Sequence, residues 1–177
     1  LAGLALAVAA LGRLLRAEGA RARYHAALLR VPGLGTLVRS INSARFARTL
    51  SILSGSGVAI LTALQISARV VSNLPMRAAI ARTAERVREG VPIHRALEDT
   101  GQFPPITVYL IANGEASGQL EAMLERAARQ QEEETDHAIT TALALFEPVL
   151  ILVMGAVVLM IVLAILMPIF ELNQMVG

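Results

Sequence analysis

The sequence predicts an all-α protein: a bundle of six helices flanked by transmembrane helices, with the last helix of the bundle continuing into the C-terminal transmembrane helix. An uncharged run from Pro148 to Phe170 is one reason. A helix of that length covers roughly 34 Å, enough to cross a hydrocarbon core about 30 Å thick. The composition is another, because 55% hydrophobic residues, 17% charged residues and a mean hydropathy of +0.58 are typical of a membrane protein with a soluble part.

Residues 1–16 are predicted to be the end of a truncated transmembrane helix. The stretch from Leu1 to Gly12 is uncharged, but a helix of that length covers only about 18 Å. Arg13 and Arg16 follow the apolar stretch, whereas a signal peptide carries its positive charge before it. We therefore expect the chain to be the C-terminal part of a longer protein.

The distribution of charge predicts the orientation in the membrane. Residues 17–40 form a basic juxtamembrane linker that contains Arg21, Arg23 and Arg30, while the tail, residues 171–177, carries Glu171 and no basic residue. The positive-inside rule places the domain between the two spans in the cytoplasm and the tail on the other side. The same arginines are also compatible with a solvated basic helix.

Residues 41–146 are predicted to form the helical bundle, because apolar side chains recur there at helical spacing and no strand-like alternation of useful length occurs. The predicted helices are 41–54, 58–71, 73–89, 93–99, 106–116 and 119 onwards. Gly55 and Gly57 are expected to end the first helix, because glycine can take positive φ without a Cβ penalty, and Gly118 is expected to end the fifth with positive φ. Asn73 is expected to cap the third helix, with Pro75 in its first turn.

The first bundle helix has two distinct faces. Phe46, Leu50 and Leu53 lie at i, i+4 and i+7 and are predicted to face the core. Arg45 and Arg48 lie on another face and are candidates for a partner interface. The sixth helix carries an apolar stripe that persists into the membrane segment.

No catalytic, metal or cofactor site is predicted. The chain has no Cys and no Lys, so it has neither a thiolate nucleophile nor a Walker-type phosphate site. The three histidines, His25, His94 and His137, lack the spacing of metal ligands. An aromatic content of 3% disfavours binding of single-stranded nucleic acid, because few rings are present to stack bases.

Two local patterns have alternative interpretations. Gly55, Ser56 and Gly57 resemble a phosphate cradle, but a turn between helices is the simpler interpretation. The acidic cluster of Glu132, Glu133, Glu134 and Asp136 could gather a divalent cation, form a solvated face or dock a partner. Successive helix positions point about 100° apart, which disfavours the cation.

Five segments occur in an order that resembles the type II secretion system F family, the inner-membrane platform proteins of type II secretion and type IV pilus assembly. They are ARFARTLSILSGSGVAILTALQIS (Ala44–Ser67), AERVREGVPIHRALEDTGQFPP (Ala84–Pro105), NGEASGQLEAML (Asn113–Leu124), EEETDHAITTALALFEPVLI (Glu132–Ile151) and LMPIFELNQMV (Leu166–Val176). Ala59 departs from the family, which usually has Pro there. The closing FELNQMV is more similar to the secretion branch than to the pilus branch.

The resemblance implies a protein of the bacterial inner membrane that is not an enzyme. Family members usually have two F domains and three transmembrane helices, so residues 41–146 look like the second F domain. The implied partners are a cytoplasmic hexameric ATPase, inner-membrane assembly components, pilin-like subunits, the lipid bilayer and further copies of the protein. No cofactor and no nucleic acid is implied.

The candidate residues fall into two groups. The first is a partner interface formed by Arg45, Arg48, Glu132, Glu133 and Glu134. The second is a set of structural positions: Gly55, Gly57, Glu115, Gly118, Glu147, Pro148 and Pro168. In a platform, Glu147 is an acid at the membrane boundary and Pro148 allows a bend; in the alternative, a transporter or channel subunit, Glu147 couples to an ion.

Overall fold

The computed structural model of the protein describes the backbone of residues 18–175 and the side chains of residues 22–165. Within these residues the protein has seven helices and no strand, so the predicted all-α fold is confirmed. The helices are α1 (Glu18–Leu28), α2 (Leu34–Gly55), α3 (Ile60–Val70), α4 (Leu74–Arg88), α5 (Ile93–Glu98), α6 (Pro105–Ser117) and α7 (Leu120–Met175). The transmembrane end predicted at residues 1–16 and the last two residues of the tail lie outside the described part.

The chain divides into two compact units at Thr135 and Asp136, within α7. We call the first unit the bundle and the second the C-terminal segment. The bundle contains α1 to α6 and the first turns of α7. The C-terminal segment is the remainder of α7, and every one of its described side chains, up to Ile165, is exposed.

The core of the bundle draws on α2 to α7. Its largest fully buried apolar side chains are Phe46, Leu50, Leu64, Met76, Ile80, Leu97, Ile111 and Leu124. The predicted inward positions Phe46 and Leu50 are thus confirmed, and Leu53 is partly buried at the edge of the core. The ring of Phe46 packs at a tilt against that of Phe103, with centroids 5.3 Å apart.

The start of α2 differs from the prediction, which placed it at Ile41 and treated residues 17–40 as a linker. The helix begins at Leu34, after Gly33, which has φ of 80°. Gly35 is buried in the first turn, where a Cβ atom would lie 2.5 Å from the carbonyl oxygen of Leu29. A glycine that typically indicates a loop is therefore required here because the end of α1 approaches the backbone of α2 closely.

Most of the other helices begin and end close to the predicted residues. Gly57 has φ of 74° after α2, and the side chain of Asn73 accepts a hydrogen bond from the backbone N of Met76 at 3.2 Å. As predicted, α2 ends at Gly55, but Gly55 itself does not take positive φ. A Cβ atom at Gly55 would instead collide with the carboxylate of Glu121 on α7.

The last helix is uninterrupted from Leu120 to Met175, which confirms that the last bundle helix continues into the apolar run. Of the described helices, α7 is the one long and apolar enough to cross a membrane, judged by length and composition. A run of exposed apolar side chains of this length is unfavourable in water and favourable in lipid.

Candidate functional site

Two of the predicted interface residues, Arg48 and Glu132, bind each other across α2 and α7. Nη2 of Arg48 lies 2.6 Å from Oε2 of Glu132, and Nε lies 3.3 Å from Oε1, so the pair is bidentate. Nη1 of Arg48 is also 3.8 Å from Glu125, which accepts a hydrogen bond from Arg129 at 2.6 Å. These side chains form a charged ladder, here called the α2–α7 ladder, along one edge of the bundle.

The ladder shifts the pKa values of two of its members. The hydrogen bond to Glu132 raises the pKa of Arg48 above its ordinary value, with a smaller opposing effect of desolvation. The hydrogen bond from Arg129 and the charge of that residue lower the pKa of Glu125. Both shifts favour the charged forms of Arg48 and Glu125.

The other three predicted interface residues lie in different surroundings. Arg45 is exposed and its Nη1 donates to Oγ of Ser72 at 3.4 Å. Glu134 accepts a hydrogen bond from Oγ of Ser40 on α2, also at 3.4 Å. Glu133 is exposed and pairs with no residue in the described part of the chain.

The Arg48–Glu132 pair should contribute measurably but modestly to stability, since the two side chains are 35% and 48% exposed. We expect a double-mutant cycle with Arg48→Gln and Glu132→Gln to give a coupling of about 0.5 kcal/mol in the free energy of unfolding at low salt. The coupling should shrink in high salt because exposed charges are screened. The measurement is denaturant unfolding of the full chain in detergent. Glu133→Gln is the control, because Glu133 pairs with no residue that the structure describes. A coupling of zero between Arg48 and Glu132 at low salt would mean that the ladder does not form in solution.

Glu115 connects α6 to the first turn of α5. Its Oε1 accepts a hydrogen bond from the backbone N of Ile93 at 2.7 Å, and its Oε2 accepts one from the backbone N of His94 at 2.9 Å. Oε2 also lies 2.6 Å from Nδ1 of His94. The residue before α5 is Pro92, which offers no capping side chain. The carboxylate of Glu115 therefore caps α5 from a different helix, where its negative charge also suits the helix dipole.

Two glycines on either side of Glu115 act in different ways. Gly118 ends α6 with φ of 68° and lies in open space, as the sequence predicts. Gly114 is buried within α6, and a Cβ atom there would lie 2.9 Å from Cα of Leu120 and 3.0 Å from Cβ of Met123. The sequence-based prediction missed Gly114, although a glycine inside a helical stretch indicates a close approach between backbones.

The backbone at the start of α4 is held by side chains of two other helices, which the sequence did not predict. The side chain of Asn42 on α2 is buried, and its Oδ1 accepts hydrogen bonds from the backbone N of Ser72 at 3.0 Å and of Asn73 at 3.2 Å. Nδ1 of His25 on α1 accepts one from the backbone N of Leu74 at 3.1 Å. Two side chains from other helices thus satisfy the backbone donors that precede and begin α4.

The acidic cluster of α7 does not form a metal site in the described part of the chain. Among residues 22–165, no three His, Asp or Glu side chains are grouped so that they could hold an ion. Glu132 binds Arg48 instead, and Glu134 faces α2.

The predicted membrane-boundary residues lie within α7. Glu147 and Pro148 are exposed in the C-terminal segment. No described residue forms a hydrogen bond or ion pair with Glu147. Pro148 has no N–H, so the helix lacks a hydrogen bond to the carbonyl oxygen of Ala144. The backbone of Pro168 is helical, and its side chain lies outside the described residues.

Comparison with known proteins places these features in a family. The profile of the family described as type II secretion system protein F matches residues 46–168, more than half of the chain. The chain is 52% identical over 163 residues to a type II secretion system protein F of Pseudomonas aeruginosa, covering 92% of the chain and 40% of that protein. It is 40% identical over 177 residues to the protein of the same name from Vibrio cholerae, covering 100% of the chain and 44% of the relative.

A pilus protein is also similar. The type IV pilus assembly protein PilC of Pseudomonas aeruginosa is 33% identical over 150 residues, covering 85% of the chain and 40% of that protein. The chain therefore spans about two fifths of the length of these relatives.

Proposed function

Because this chain belongs to the type II secretion system protein F family, we propose that it is part of an inner-membrane platform protein of a type II secretion system. In this role it couples a cytoplasmic ATPase to the assembly of pilin-like subunits for protein secretion. The observation that carries the proposal is the family match along most of the bundle and α7. The higher identity to the secretion proteins than to the pilus protein favours the secretion branch over the pilus branch.

The arrangement in the membrane is proposed from the charges and from α7. Residues 41–146 form a cytoplasmic domain, residues 147–170 cross the inner membrane, and residues 171–177 form a periplasmic tail. The excess of arginine over acidic residues at positions 13–30 and the single acidic residue after the apolar run support this orientation. The whole protein is multi-pass in this proposal.

The proposed mechanism is mechanical. An uninterrupted helix that includes core residues of the bundle and the apolar run supports it, because backbone hydrogen bonds make a helix stiff. Pro148 removes one of those bonds at the start of the apolar run and provides a place where the helix can bend. The surface that meets the ATPase and the other membrane components includes Arg45 and Glu133, which are exposed.

Secretion in a strain that lacks the gene tests the proposal. The full-length protein should restore secretion and should co-purify with the assembly ATPase. We expect Glu147→Gln to retain most of the activity, because it keeps the shape of the side chain and removes only its charge. Pro148→Ala should reduce secretion several-fold, because it restores the missing backbone donor and stiffens the helix.

The control is the amount of each variant in the inner membrane, measured by immunoblot. Complete loss of secretion with Glu147→Gln, at normal protein level and with the ATPase still bound, would contradict a mechanical role. It would favour an ion-coupled transporter, which flux measurements in liposomes would then detect.

A further inference from the structure

A cavity of about 580 Å³ lies in the bundle between α2, α5 and α6. Arg39 of α2 and Glu98 of α5 are the charged residues of its wall, and His94 also lines it. Much of the rest is apolar, with Phe103, Val108 and Tyr109 contributing side chains. The cavity is large enough for two amino-acid side chains of a bound segment.

Arg39 differs from the arginines of the α2–α7 ladder, which are paired with carboxylates. Its guanidinium forms no hydrogen bond or ion pair with any residue that the structure describes. Its Nε is also screened from water and has no acceptor there. A cation that is partly removed from water and has no counter-charge attracts a carboxylate more strongly than a fully hydrated one does.

The edge of the cavity is apolar and exposed. Tyr109 is 62% exposed, and Ile106, one turn earlier on α6, is 37% exposed. Large apolar side chains that are exposed beside a concave, mostly apolar surface mark an interaction site. Among the described residues, the cavity therefore combines one available cation, Arg39, with an apolar wall.

We propose that this cavity binds a segment of a partner polypeptide in which an Asp or Glu lies next to an aromatic or large aliphatic residue. The carboxylate of the segment pairs with Arg39, and the apolar side chain packs against Val108 and Tyr109. This inference deepens the proposed function and rests on it for the source of the segment, a component of the assembly. An anionic lipid fits less well, because a headgroup bound at a protein surface needs several cations and the wall offers Arg39 beside the acidic Glu98.

Peptide binding to the full chain in detergent tests the inference. The probes are fluorescently labelled acetyl-Gly-Asp-Phe-Leu-Gly-amide and its Asn analogue, which differ by one carboxylate. We expect the Asp peptide to bind about tenfold more tightly, as for one hydrogen-bonded charge pair. Arg39→Gln should remove this preference. Arg82→Gln, at an exposed position of α4, is the charge-matched control and should leave the preference for the Asp peptide unchanged. Glu98→Gln should not weaken binding of the Asp peptide.

Equal binding of the two peptides, no binding of either, or a preference that survives Arg39→Gln would overturn the inference. If Arg39→Gln fails to fold, as judged by circular dichroism, Tyr109→Ala replaces it. Tyr109→Ala should lower the affinity for both peptides several-fold. Unchanged binding with Tyr109→Ala would also overturn the inference. A loss of binding to phosphatidylglycerol vesicles in Arg39→Gln, with peptide binding unaffected, would assign the cavity to a lipid. If the peptides bind as expected but deletion of the gene leaves secretion unchanged, the proposed function is contradicted and the peptide-binding inference is not.

Discussion

Gly114→Val is expected to destabilise the bundle by about 3 kcal/mol or more, a large part of the 5–15 kcal/mol that stabilises a typical domain. The first added carbon would lie 2.9 Å from Cα of Leu120 and 3.0 Å from Cβ of Met123. The first of these neighbours is backbone, so it cannot move aside as the end of a side chain can. Relief requires α6 and α7 to separate, which would also open the core around Ile111 and Leu124. Thermal unfolding of the full chain in detergent is the measurement.

Gly118 provides the matched comparison, because it lies four residues away and has open space but positive φ. Gly118→Val should lower the free energy of unfolding by about 1 kcal/mol, because the left-handed backbone strains a residue with a side chain. Gly118→Asn should lower it less, because Asn tolerates the left-handed conformation. At Gly114, Asn should be almost as harmful as Val. If Gly114→Val cost no more than Gly118→Val, the two helices would not be in the close contact described above.

Glu115→Ala is expected to reduce the free energy of unfolding by about 2–4 kcal/mol. The substitution removes a carboxylate that accepts hydrogen bonds from two backbone N–H groups, and it leaves those donors without a partner beside Pro92. Glu115→Gln should cost less, because the amide oxygen can still accept one of the two bonds while the charge is lost. Denaturant unfolding measures the difference.

Hydrogen exchange separates this capping role from a general loss of stability. The amides of Ile93 and His94 should lose protection in Glu115→Ala more than the amides of α4 do. Glu121→Ala, at an exposed acidic position of α7, is the control and should leave α5 protected. Unfolding free energies of Glu115→Ala and the original protein within 0.5 kcal/mol would show that the cap contributes little.

Features that depend on residues close in the sequence could be predicted. The helices with apolar stripes, the cap at Asn73 and the positive φ of Gly118 all follow from local patterns, and the structure has each of them. The all-α fold with a continuous last helix follows in the same way. The ladder residues Arg48 and Glu132 were identified as candidates, but their pairing could not be predicted, because it requires knowledge of how α2 packs on α7.

Features that depend on contacts between distant residues could not be predicted. Glycine is common in loops, yet Gly35 and Gly55 are helical. Their missing side chains make room for Leu29 and Glu121 respectively. Asn42 lies in the middle of α2, and its three acceptor contacts with Ser72 and Asn73 exist only once α2 and α4 are together. The role of Glu115 as a cap for another helix has no local signature for the same reason.

The position of α7 at the end of the described helices has a consequence for synthesis. Its buried residues Leu124, Ala127 and Ala128 complete the core, so the earlier helices leave the ribosome with that side of the core uncovered. Until α7 emerges, the core cluster that these residues complete lacks part of its packing and is prone to aggregation or chaperone binding. The apolar run begins at Pro148, in the same helix and shortly after the bundle ends at Thr135, so the segment that enters lipid is synthesised soon after the domain is complete.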